Sequence, residues 1–314
     1  MISIIIPFYN EKENVPLLVE EIENVREKIK EDLEVILVDD GSSDNFQLSL
    51  RQSSGQAIIN DQEKNNNLKL IKHRKRFGKG KALQTGLDQA KGEIIAFMDA
   101  DLQDDPQDLL KFIEKIKSGY DLVNGVRSSR KDSIIVKLYS KIANWFLKTA
   151  LHSQYSDINC GYKVFRKEVL KEIVFYANNF RFFPLAVYYQ GYKVTEVSIN
   201  NRERKFGVSK FGAGKLLTGI FDTLAAYFIF RFSESPIQFF GPIGGLIFGS
   251  GFLISLFLVF ERIFYNMLLY RRPMFQIGIL LIIVGIQIIM TGMIGELIVF
   301  TNKKSDKNNS LRNY

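Results

Sequence analysis

Short runs of aliphatic residues alternate with longer amphipathic segments over the first part of the chain. The short runs are residues 2–6, 35–38, 68–71, 94–98 and 122–123. Runs of this length and composition indicate strands that are buried on both faces of a parallel sheet. Residues 14–30 instead repeat apolar side chains with a helical period. The alternation predicts an α/β fold with a right-handed, doubly wound sheet that binds ligands at the carboxyl ends of its strands.

Two long apolar runs dominate the last third of the chain. Residues 236–260 and 273–295 contain no charged side chain, and each run exceeds the roughly 20 residues that cross a bilayer as a helix. We predict two transmembrane helices, with a pair of buried soluble helices as the alternative. Residues 213–230 are also apolar, but they carry Lys215 and Asp222 and are too short to span a membrane. They predict either an interfacial helix or a core helix of the preceding domain.

Two further segments have weaker patterns. Residues 134–151 pose the same choice between a surface helix and a core helix, and residues 47–67 predict a short helix followed by a polar loop. Taken together, the patterns divide the chain into a cytoplasmic domain, an interfacial amphipathic segment, a transmembrane hairpin and a basic tail. These parts are residues 1–211, 212–232, 233–302 and 303–314.

Charge and cysteine content narrow the class of protein. The 314-residue chain has a formal net charge of +8, which suits nucleic acid, an anionic membrane surface or phosphate-bearing substrates. The basic residues form separate clusters, which favours several phosphate contacts, so we predict no nucleic-acid partner. A single cysteine, Cys160, and two histidines far apart in sequence exclude an internal disulfide and a Cys/His zinc site. Cys160 is interpreted as a small packed residue.

The start of the chain bears on location. Its apolar run is too short for a signal peptide and follows no basic region. We therefore expect the N-terminal domain in the cytoplasm, on the same side as the C-terminal tail, because two spans return the chain to its starting side. The expected location is the cell (inner) membrane, as a multi-pass protein with the lipid bilayer as a partner. Association into a homo-oligomer is left open.

The strand predicted at residues 94–98 leads directly into two carboxylates. Asp99 and Asp101 are separated by Ala100 and followed by Gln103. Carboxylate and amide oxygens can hold Mg²⁺ or Mn²⁺ against a diphosphate. An isolated Asp-x-Asp usually marks a solvated turn, but its position after a buried strand favours a metal site. We predict Asp99, Asp101 and Gln103 as metal ligands.

Three motifs follow the predicted strands in order. They are Pro7-Phe-Tyr-Asn-Glu11, Val38-Asp39-Asp40-Gly41-Ser42-Ser43-Asp44 and Asp99-Ala-Asp-Leu-Gln103. In this order they resemble the motifs of inverting family-two glycosyltransferases. Phe77-Gly78-Lys79-Gly80, Gly125-Val-Arg127 and Asp157-Ile-Asn-Cys-Gly161-Tyr further resemble the polyprenyl-phosphate glycosyltransferases, the branch with bactoprenol glucosyltransferases and dolichol-phosphate mannose synthases. The resemblance covers nearly the whole chain, including the two C-terminal spans.

This resemblance implies a fold and a reaction. The fold is a Rossmann-like nucleotide-sugar-binding domain of the glycosyltransferase A type, followed by an interfacial helix and two transmembrane helices. The implied enzyme is a metal-dependent inverting hexosyltransferase that uses Mg²⁺ or Mn²⁺. It moves a hexose from a nucleotide-sugar donor to a polyprenyl (undecaprenyl) phosphate acceptor, giving a lipid-phosphate-linked sugar. Glucose from UDP-glucose is the first expectation, and mannose from GDP-mannose is the second.

Two other functions compete with this expectation. A processive polysaccharide synthase is disfavoured because such relatives carry a Gln-x-x-Arg-Trp motif, and the only tryptophan, Trp145, follows Ala143 and Asn144. A membrane-tethered nucleotide-sugar-binding protein without enzymatic activity is the alternative of a different class. Intact acidic residues at Asp99, Asp101 and Asp157 oppose it, and a test of turnover separates the two.

The resemblance also assigns residues to the donor site. Asp39 and Asp40 are implied to bind the nucleoside, with Pro7, Tyr9 and Glu11 shaping its pocket. From the residues alone, an Asp-Gly turn at Asp40 remains open, as do strand termination at Pro7 and helix capping at Glu11. Each of these alternatives is a structural role that needs no ligand.

Basic residues are implied to contact the phosphates of the donor. Lys79 and Lys81 would offset the negative charge, with a solvated basic loop as the alternative for Lys81. Ala100, between Asp99 and Asp101, is also assigned to the donor site. Arg127 is a candidate for the phosphate-rich pocket near the lipid that is implied for Arg204 and Lys210. Arg76 stands where this branch often has Asn.

Acceptor binding and catalysis are assigned to three later residues. Arg204 and Lys210 are implied to hold the phosphate near the lipid, because Arg can grip a phosphate through two hydrogen bonds and Lys adds a compact charge. A basic stop attracted to anionic lipid head groups is the alternative. Asp157 matches the position of the catalytic base, and capping of the tight turn that follows is its alternative.

Overall fold

The structure is a computed structural model, and it describes most of the chain with six internal gaps. The described residues are 1–44, 67–127, 155–171, 179–203, 214–232, 234–265 and 273–312. The chain divides into two compact units, Met1–Thr223 and Leu224–Tyr314. The predictions for residues 47–66 and 134–151 concern positions outside the described residues, and so do those for Arg204 and Lys210.

One mixed sheet forms the centre of the first unit. Its strands in the described residues are β1 (Ile2–Phe8), β2 (Leu33–Asp39), β3 (Leu68–Lys72), β4 (Ile94–Phe97), β5 (Leu122–Arg127), β6 (Lys163–Arg166) and β7 (Val194–Ile199). Their spatial order is β3-β2-β1-β4-β6-β5-β7. β1 pairs in parallel with β2 and β4, and β2 with β3, whereas β6 runs antiparallel to both β4 and β5. β5 pairs in parallel with β7.

The sheet confirms the predicted α/β fold and extends it. All five predicted strands are present. The sequence pattern misses β6 and β7, and the antiparallel direction of β6 makes the sheet mixed where the pattern predicts a parallel one. β6 has four residues, which is too few for a periodic signal.

Helices cover both faces of the sheet. The helices of the described residues are α1 (Asn14–Arg26), α2 (Lys79–Gln89), α3 (Leu109–Lys117), α4 (Phe183–Tyr189), α5 (Gly214–Phe232), α6 (Ile237–Tyr265) and α7 (Pro273–Arg312). Of these, α1, α2, α3 and α4 pack against the sheet. Ile4 of β1 belongs to the buried cluster that contains apolar residues of α1 and α3. Ile5 belongs to a second cluster with Ala82 and Leu83 of α2. Because successive strand residues point to opposite faces, β1 is covered on both sides, as its complete burial requires.

Helices α6 and α7 form the second unit together with the end of α5. The most apolar 18-residue windows of Ile237–Tyr265 and Pro273–Asn302 have mean hydropathies of 2.3 and 2.6, and both helices are long enough to span a membrane. An added Cβ at Gly251 would lie 2.6 Å from the carbonyl oxygen of Gly278, so α6 and α7 approach each other backbone to backbone, as small residues allow in membrane helices. The two predicted apolar helices are confirmed. The helix predicted at residues 213–230 is present as α5, and its interfacial position stays a prediction.

Candidate active site

The carboxyl ends of β1, β2 and β4 open into one pocket. Eight residues assigned to the donor site from sequence line it: Pro7, Tyr9, Glu11, Asp40, Lys79, Asp99, Ala100 and Asp101. Phe8, Arg76 and Ala82 complete the lining. Parallel strands bring their carboxyl ends to a common edge, which is why motifs far apart in sequence meet here.

The loops after β1 and β2 are interlocked by hydrogen bonds. The backbone N–H of Asn10 donates to Oγ of Ser42 (2.9 Å), and the N–H of Ser43 donates to Oδ1 of Asn10 (2.8 Å). The N–H of Lys12 donates to Oδ2 of Asp44 (3.0 Å). Asn10 has a φ of 54°, a conformation that Asn tolerates better than most residues. The two loops therefore hold each other in place at the edge of the pocket.

Asp39 is buried and is not part of the pocket lining in the described structure. It is 1% exposed, and its Oδ1 accepts a hydrogen bond from the N–H of Ser42 at 2.7 Å. Nζ of Lys72 lies 3.9 Å from its Oδ2. These contacts give Asp39 a structural role in closing the turn, and its contact with a nucleoside stays a prediction.

Asp40 lines the pocket and anchors the loop that precedes α2. Its carboxylate accepts hydrogen bonds from the N–H groups of Phe77 and Gly78, both at 2.8 Å, and lies 2.9 Å from Nδ1 of His73. The adjacent Gly41 has a φ of 76°, and an added Cβ would lie 2.6 Å from a backbone carbon of that loop. Only glycine fits such a close approach with this φ.

Lys79 and Asp99 form an ion pair inside the pocket. Nζ of Lys79 donates to Oδ1 of Asp99, and their side chains are 32% and 37% exposed. Removal from solvent raises the pKa of Asp99, but the charge of Lys79 and its hydrogen bond, with more distant Arg127 and Lys163, outweigh that effect and lower it. Asp99 is therefore ionised at neutral pH and already carries one cation.

Asp101 and its loop complete the acidic wall. Oδ1 of Asp101 accepts from the N–H of Gln103 at 3.2 Å, and the intervening Leu102 is fully buried with a φ of 61°. For a leucine this conformation costs about 1–3 kcal/mol. The carbonyl of Gln103 accepts from the N–H of Arg202 at 2.8 Å, which ties the loop to the chain after β7.

The donor set suits a divalent cation that is shared with a substrate. Asp99 and Asp101 both face the pocket, and among the described residues no three His, Cys, Asp or Glu side chains are grouped to hold a metal. Mg²⁺ is commonly held by one or two carboxylates plus substrate phosphates and water, so two carboxylates fit. Gln103 is outside the described pocket lining, and its role as a ligand stays a prediction.

Asp104 is a further acidic residue at this wall, and it belongs to none of the sequence motifs. It is 5% exposed. Burial, followed by the charges of Asp99 and Asp101, raises the pKa of Asp104 to about 7. Its proximity to two carboxylates depends on the turn at Leu102, which no spacing rule reveals.

Asp157 and Arg127 form a two-point ion pair beside this wall. Nε of Arg127 lies 2.8 Å from Oδ2 of Asp157, and Nη2 lies 3.1 Å from Oδ1. Burial lowers the pKa of Arg127, but the hydrogen bond and charge of Asp157 raise it above its ordinary value. The predicted catalytic residue and a predicted phosphate-binding residue are therefore partners. The backbone carbonyl of Asp157 closes the following turn by accepting from the N–H of Cys160 at 3.2 Å.

The turn after Asp157 rests on a buried lysine. Lys163 is 3% exposed, and its Nζ donates to the carbonyls of Ile158 (3.3 Å) and Cys160. Burial lowers the pKa of Lys163 to about 8 and raises that of Cys160 to about 12, which supports the packed role of the thiol. An added Cβ at Gly161 would lie 2.5 Å from Oδ2 of Asp99. The Asp157 turn and the acidic wall are therefore in contact.

Lys81 is the remaining described residue of the predicted site. It is exposed in the first turn of α2 and outside the pocket lining described above. The solvated alternative is consistent with this position, and a contact with the donor stays a prediction.

Comparisons with known proteins agree with the sequence resemblance. Residues 3–174 match the family described as Glycosyl transferase family 2. The chain is 30% identical over 309 residues to a protein of Rhizobium johnstonii named dodecaprenyl-phosphate galacturonate synthase, covering 97% of this chain and 89% of the relative. It is also 30% identical over 298 residues to undecaprenyl-phosphate 4-deoxy-4-formamido-L-arabinose transferase of Pectobacterium atrosepticum, covering 95% and 88%.

A solved structure supports the same fold. Glucosyl-3-phosphoglycerate synthase from Mycobacterium tuberculosis, in complex with Mn²⁺, uridine diphosphate and phosphoglyceric acid, matches with a TM-score of 0.54 and 17% identity. The match covers 72% of this chain and 78% of that chain. At this identity the likeness concerns the fold, and it confirms the Rossmann-like architecture expected from the motifs.

Proposed function

The chain belongs to glycosyl transferase family 2, and we propose that it transfers a sugar from a nucleotide-sugar donor to a polyprenyl phosphate. The observation that carries this proposal is the pocket in which Tyr9, Asp40, Asp99 and Asp101 meet. Similarity over nearly the full length to relatives named as polyprenyl-phosphate sugar transferases supports the class of acceptor.

In this proposal the donor lies along the carboxyl ends of β1, β2 and β4. The ring of Tyr9 offers a stacking surface for the base, and Asp40 accepts from the base or from ribose hydroxyls. Lys79 faces the diphosphate from the start of α2. Asp99 and Asp101, with Gln103 as a further candidate, would hold Mg²⁺ or Mn²⁺, which neutralises negative charge on the leaving diphosphate.

The acceptor approaches with its phosphate as the nucleophile in a single displacement that inverts the anomeric carbon. We propose that Arg127, Arg204 and Lys210 bind this phosphate. A phosphate monoester has a second pKa of about 6, so it is largely ionised at neutral pH. Little of the acceptor therefore carries a proton for Asp157 to remove. The two hydrogen bonds between Asp157 and Arg127 suit Asp157 to orienting that guanidinium, and its negative charge suits it to stabilising positive charge at the reacting carbon.

The proposed setting is the cell (inner) membrane. Helices α6 and α7 would anchor the protein as a hairpin, and the glycosyltransferase domain of residues 1–211 would face the cytoplasm. Residues 212–232 would lie at the bilayer surface, and residues 303–314 would form a basic cytoplasmic tail. The apolar length of both helices supports this division.

The transferred sugar is the finer part of the proposal. Glucose from UDP-glucose is our first candidate, and mannose from GDP-mannose is the second. The names of the relatives add galacturonate and 4-deoxy-4-formamido-L-arabinose. A non-enzymatic nucleotide-sugar-binding protein would use the same pocket without turnover.

Labelled donors test the proposal directly. Membranes that contain the protein are supplied with nucleotide-linked glucose, mannose, galacturonate or 4-deoxy-4-formamido-arabinose and with undecaprenyl phosphate, and the lipid is then extracted. We expect one labelled lipid-linked sugar, which chelation of divalent metal abolishes and Asp101→Asn greatly reduces. Nucleotide binding without any labelled lipid from any donor would favour the binding protein.

A further inference from the structure

Arg76 covers an aromatic ring inside the pocket. Its guanidinium carbon lies 4.3 Å from the centre of the Tyr9 ring, and both residues line the same pocket. This is the geometry of a cation–π contact. A planar guanidinium on an aromatic face also has the shape of a stacked base.

The backbone that carries Arg76 is fixed, although its side chain is exposed. On one side of it, Gly41 packs so closely that an added Cβ would lie 2.8 Å from the backbone nitrogen of Arg76. On the other side, the N–H groups of Phe77 and Gly78 are bound to the carboxylate of Asp40. The side chain of Arg76 can change rotamer, whereas moving its backbone would break these contacts.

The distance between the Tyr9 ring and the Arg76 guanidinium is too short for a nucleobase to fit between them. Stacked rings have centroids at least about 4.5 Å apart, so a base that stacks on this face of Tyr9 must first displace the Arg76 side chain. Since the Arg76 backbone remains beside Asp40, the displaced guanidinium stays on the nucleoside side of the pocket. The diphosphate side already has its own cation, Lys79, which pairs with Asp99.

We propose that Arg76 is the outer half of a nucleobase clamp. In this view the base of the donor enters between Tyr9 and Arg76, and the guanidinium closes over its outer face. The inference rests on the proposed donor site and adds a specificity-determining residue to it.

Nucleotide binding to the full-length protein in detergent tests the clamp. Titration calorimetry without metal is run with UMP, UDP, GMP and GDP on the wild type and on Arg76→Ala, Arg76→Lys and Arg74→Ala. For the base that the wild type prefers, Arg76→Ala should weaken the mono- and diphosphate by the same factor, between about 2-fold and 30-fold. Arg76→Lys should recover part of the loss, because ammonium is charged but not planar.

Arg74→Ala is the matched control. Arg74 is exposed in the same described segment and lies outside the pocket lining, so removing its charge should leave both affinities unchanged. In a Tyr9→Ala background, Arg76→Ala should have a smaller effect than in the wild type, because the base then lacks its inner stacking partner.

Four results would overturn the clamp. A loss for the diphosphate with no loss for the monophosphate would assign Arg76 to the phosphates, and unchanged or tighter binding by Arg76→Ala would make it an obstruction only. An equal loss in Arg74→Ala would reduce the effect to net charge. If the wild type binds none of the four nucleotides, the proposed donor site fails together with the clamp.

Discussion

Asp99 and Asp157 are both paired carboxylates of the candidate site, but they are held in different ways. The side chain of Asp99 is 37% exposed and bonds to a flexible lysine through one oxygen. That of Asp157 is 8% exposed and bonds to Arg127 through both oxygens. A single bond to Lys leaves room for another cation, whereas a two-point bond to Arg fixes both partners in one plane.

This difference separates two tasks in the proposed reaction. On the Asp99 side of the site, the carboxylate can exchange Lys79 for another cation. The proposed reaction requires such an exchange, because the donor binds together with a metal ion and its nucleoside diphosphate then leaves. The Asp157 side is preorganised and need not rearrange during the reaction, which is the property expected of groups that stabilise a transition state. The contact between Gly161 and Asp99 keeps the two parts in register.

The largest expected effect tests the role of the Asp157 side in the reaction. Asp157→Asn keeps the size of the side chain but removes its charge and one acceptor for Arg127. We expect kcat to fall by about 10²–10⁴-fold with donor affinity nearly unchanged, as measured by turnover of labelled donor and by nucleotide titration.

A pH profile of the same variant separates two roles. If Asp157 removes a proton, the deficit should shrink above the second pKa of the acceptor phosphate, about 6; if it orients Arg127, the deficit should persist. Arg127→Lys keeps the charge but loses the two-point geometry, and on the orienting role it should reproduce most of the loss. Wild-type turnover by Asp157→Asn at every pH would return Asp157 to a structural role in the turn.

The Asp99 side of the site is easier to predict from sequence than the Asp157 side. Its parallel strands are long enough to recognise, and the carboxyl ends of such strands meet at one edge, so Asp40, Asp99 and Asp101 could be expected in one pocket. What the sequence could not show was how they are paired. The bond of Asp40 to Phe77 and Gly78 depends on the closeness of two loops.

The Asp157 side of the site is harder to predict for a physical reason. β6 is four residues long and antiparallel to its neighbours, so periodicity does not reveal the strand that brings Lys163 beneath the Asp157 turn. The pairing of Asp157 with Arg127 joins the turn before β6 to the end of β5, and the pattern does not place these two segments next to each other. Individual residues were identified there by motif, but their contacts follow from the topology.

An effect of intermediate size tests the burial of Lys163, which lies on the Asp157 side of the site. The pKa of Lys163 is lowered from 10.5 to about 8, so between these values the unfolded chain binds more protons and the unfolding free energy rises with pH. Below pH 8 the lysine is charged in both states and contributes no slope. The gain across this window is at most about 3 kcal/mol.

Comparison of two variants isolates this contribution. Thermal or denaturant unfolding of the full chain is followed between pH 7 and 10.5 for the wild type, for Lys163→Met and for Lys115→Met, whose lysine is exposed on α3. The wild type should gain stability relative to Lys163→Met as pH rises above 8, while Lys115→Met should follow the wild type. Parallel curves for all three would show that Lys163 titrates as an exposed group.

The smallest expected effect tests whether Asp99 can exchange its cation. A metal that binds Asp99 must displace Lys79 or share the carboxylate with it, so Lys79→Met removes a competitor. A partly exposed ion pair contributes up to about 1 kcal/mol, which corresponds to roughly fivefold tighter binding of Mn²⁺ in the absence of nucleotide. Titration of Mn²⁺ followed by electron paramagnetic resonance measures this affinity without requiring turnover.

Lys81→Met is the matched control, because it removes the same charge from the exposed side of the first turn of α2 and should change Mn²⁺ affinity little. Equal tightening in both variants would reduce the effect to net charge. Unchanged or weaker binding in Lys79→Met would mean that Lys79 does not compete for the metal. In that case Asp99 would be as fixed as Asp157, and the contrast between the two sides of the site would not hold.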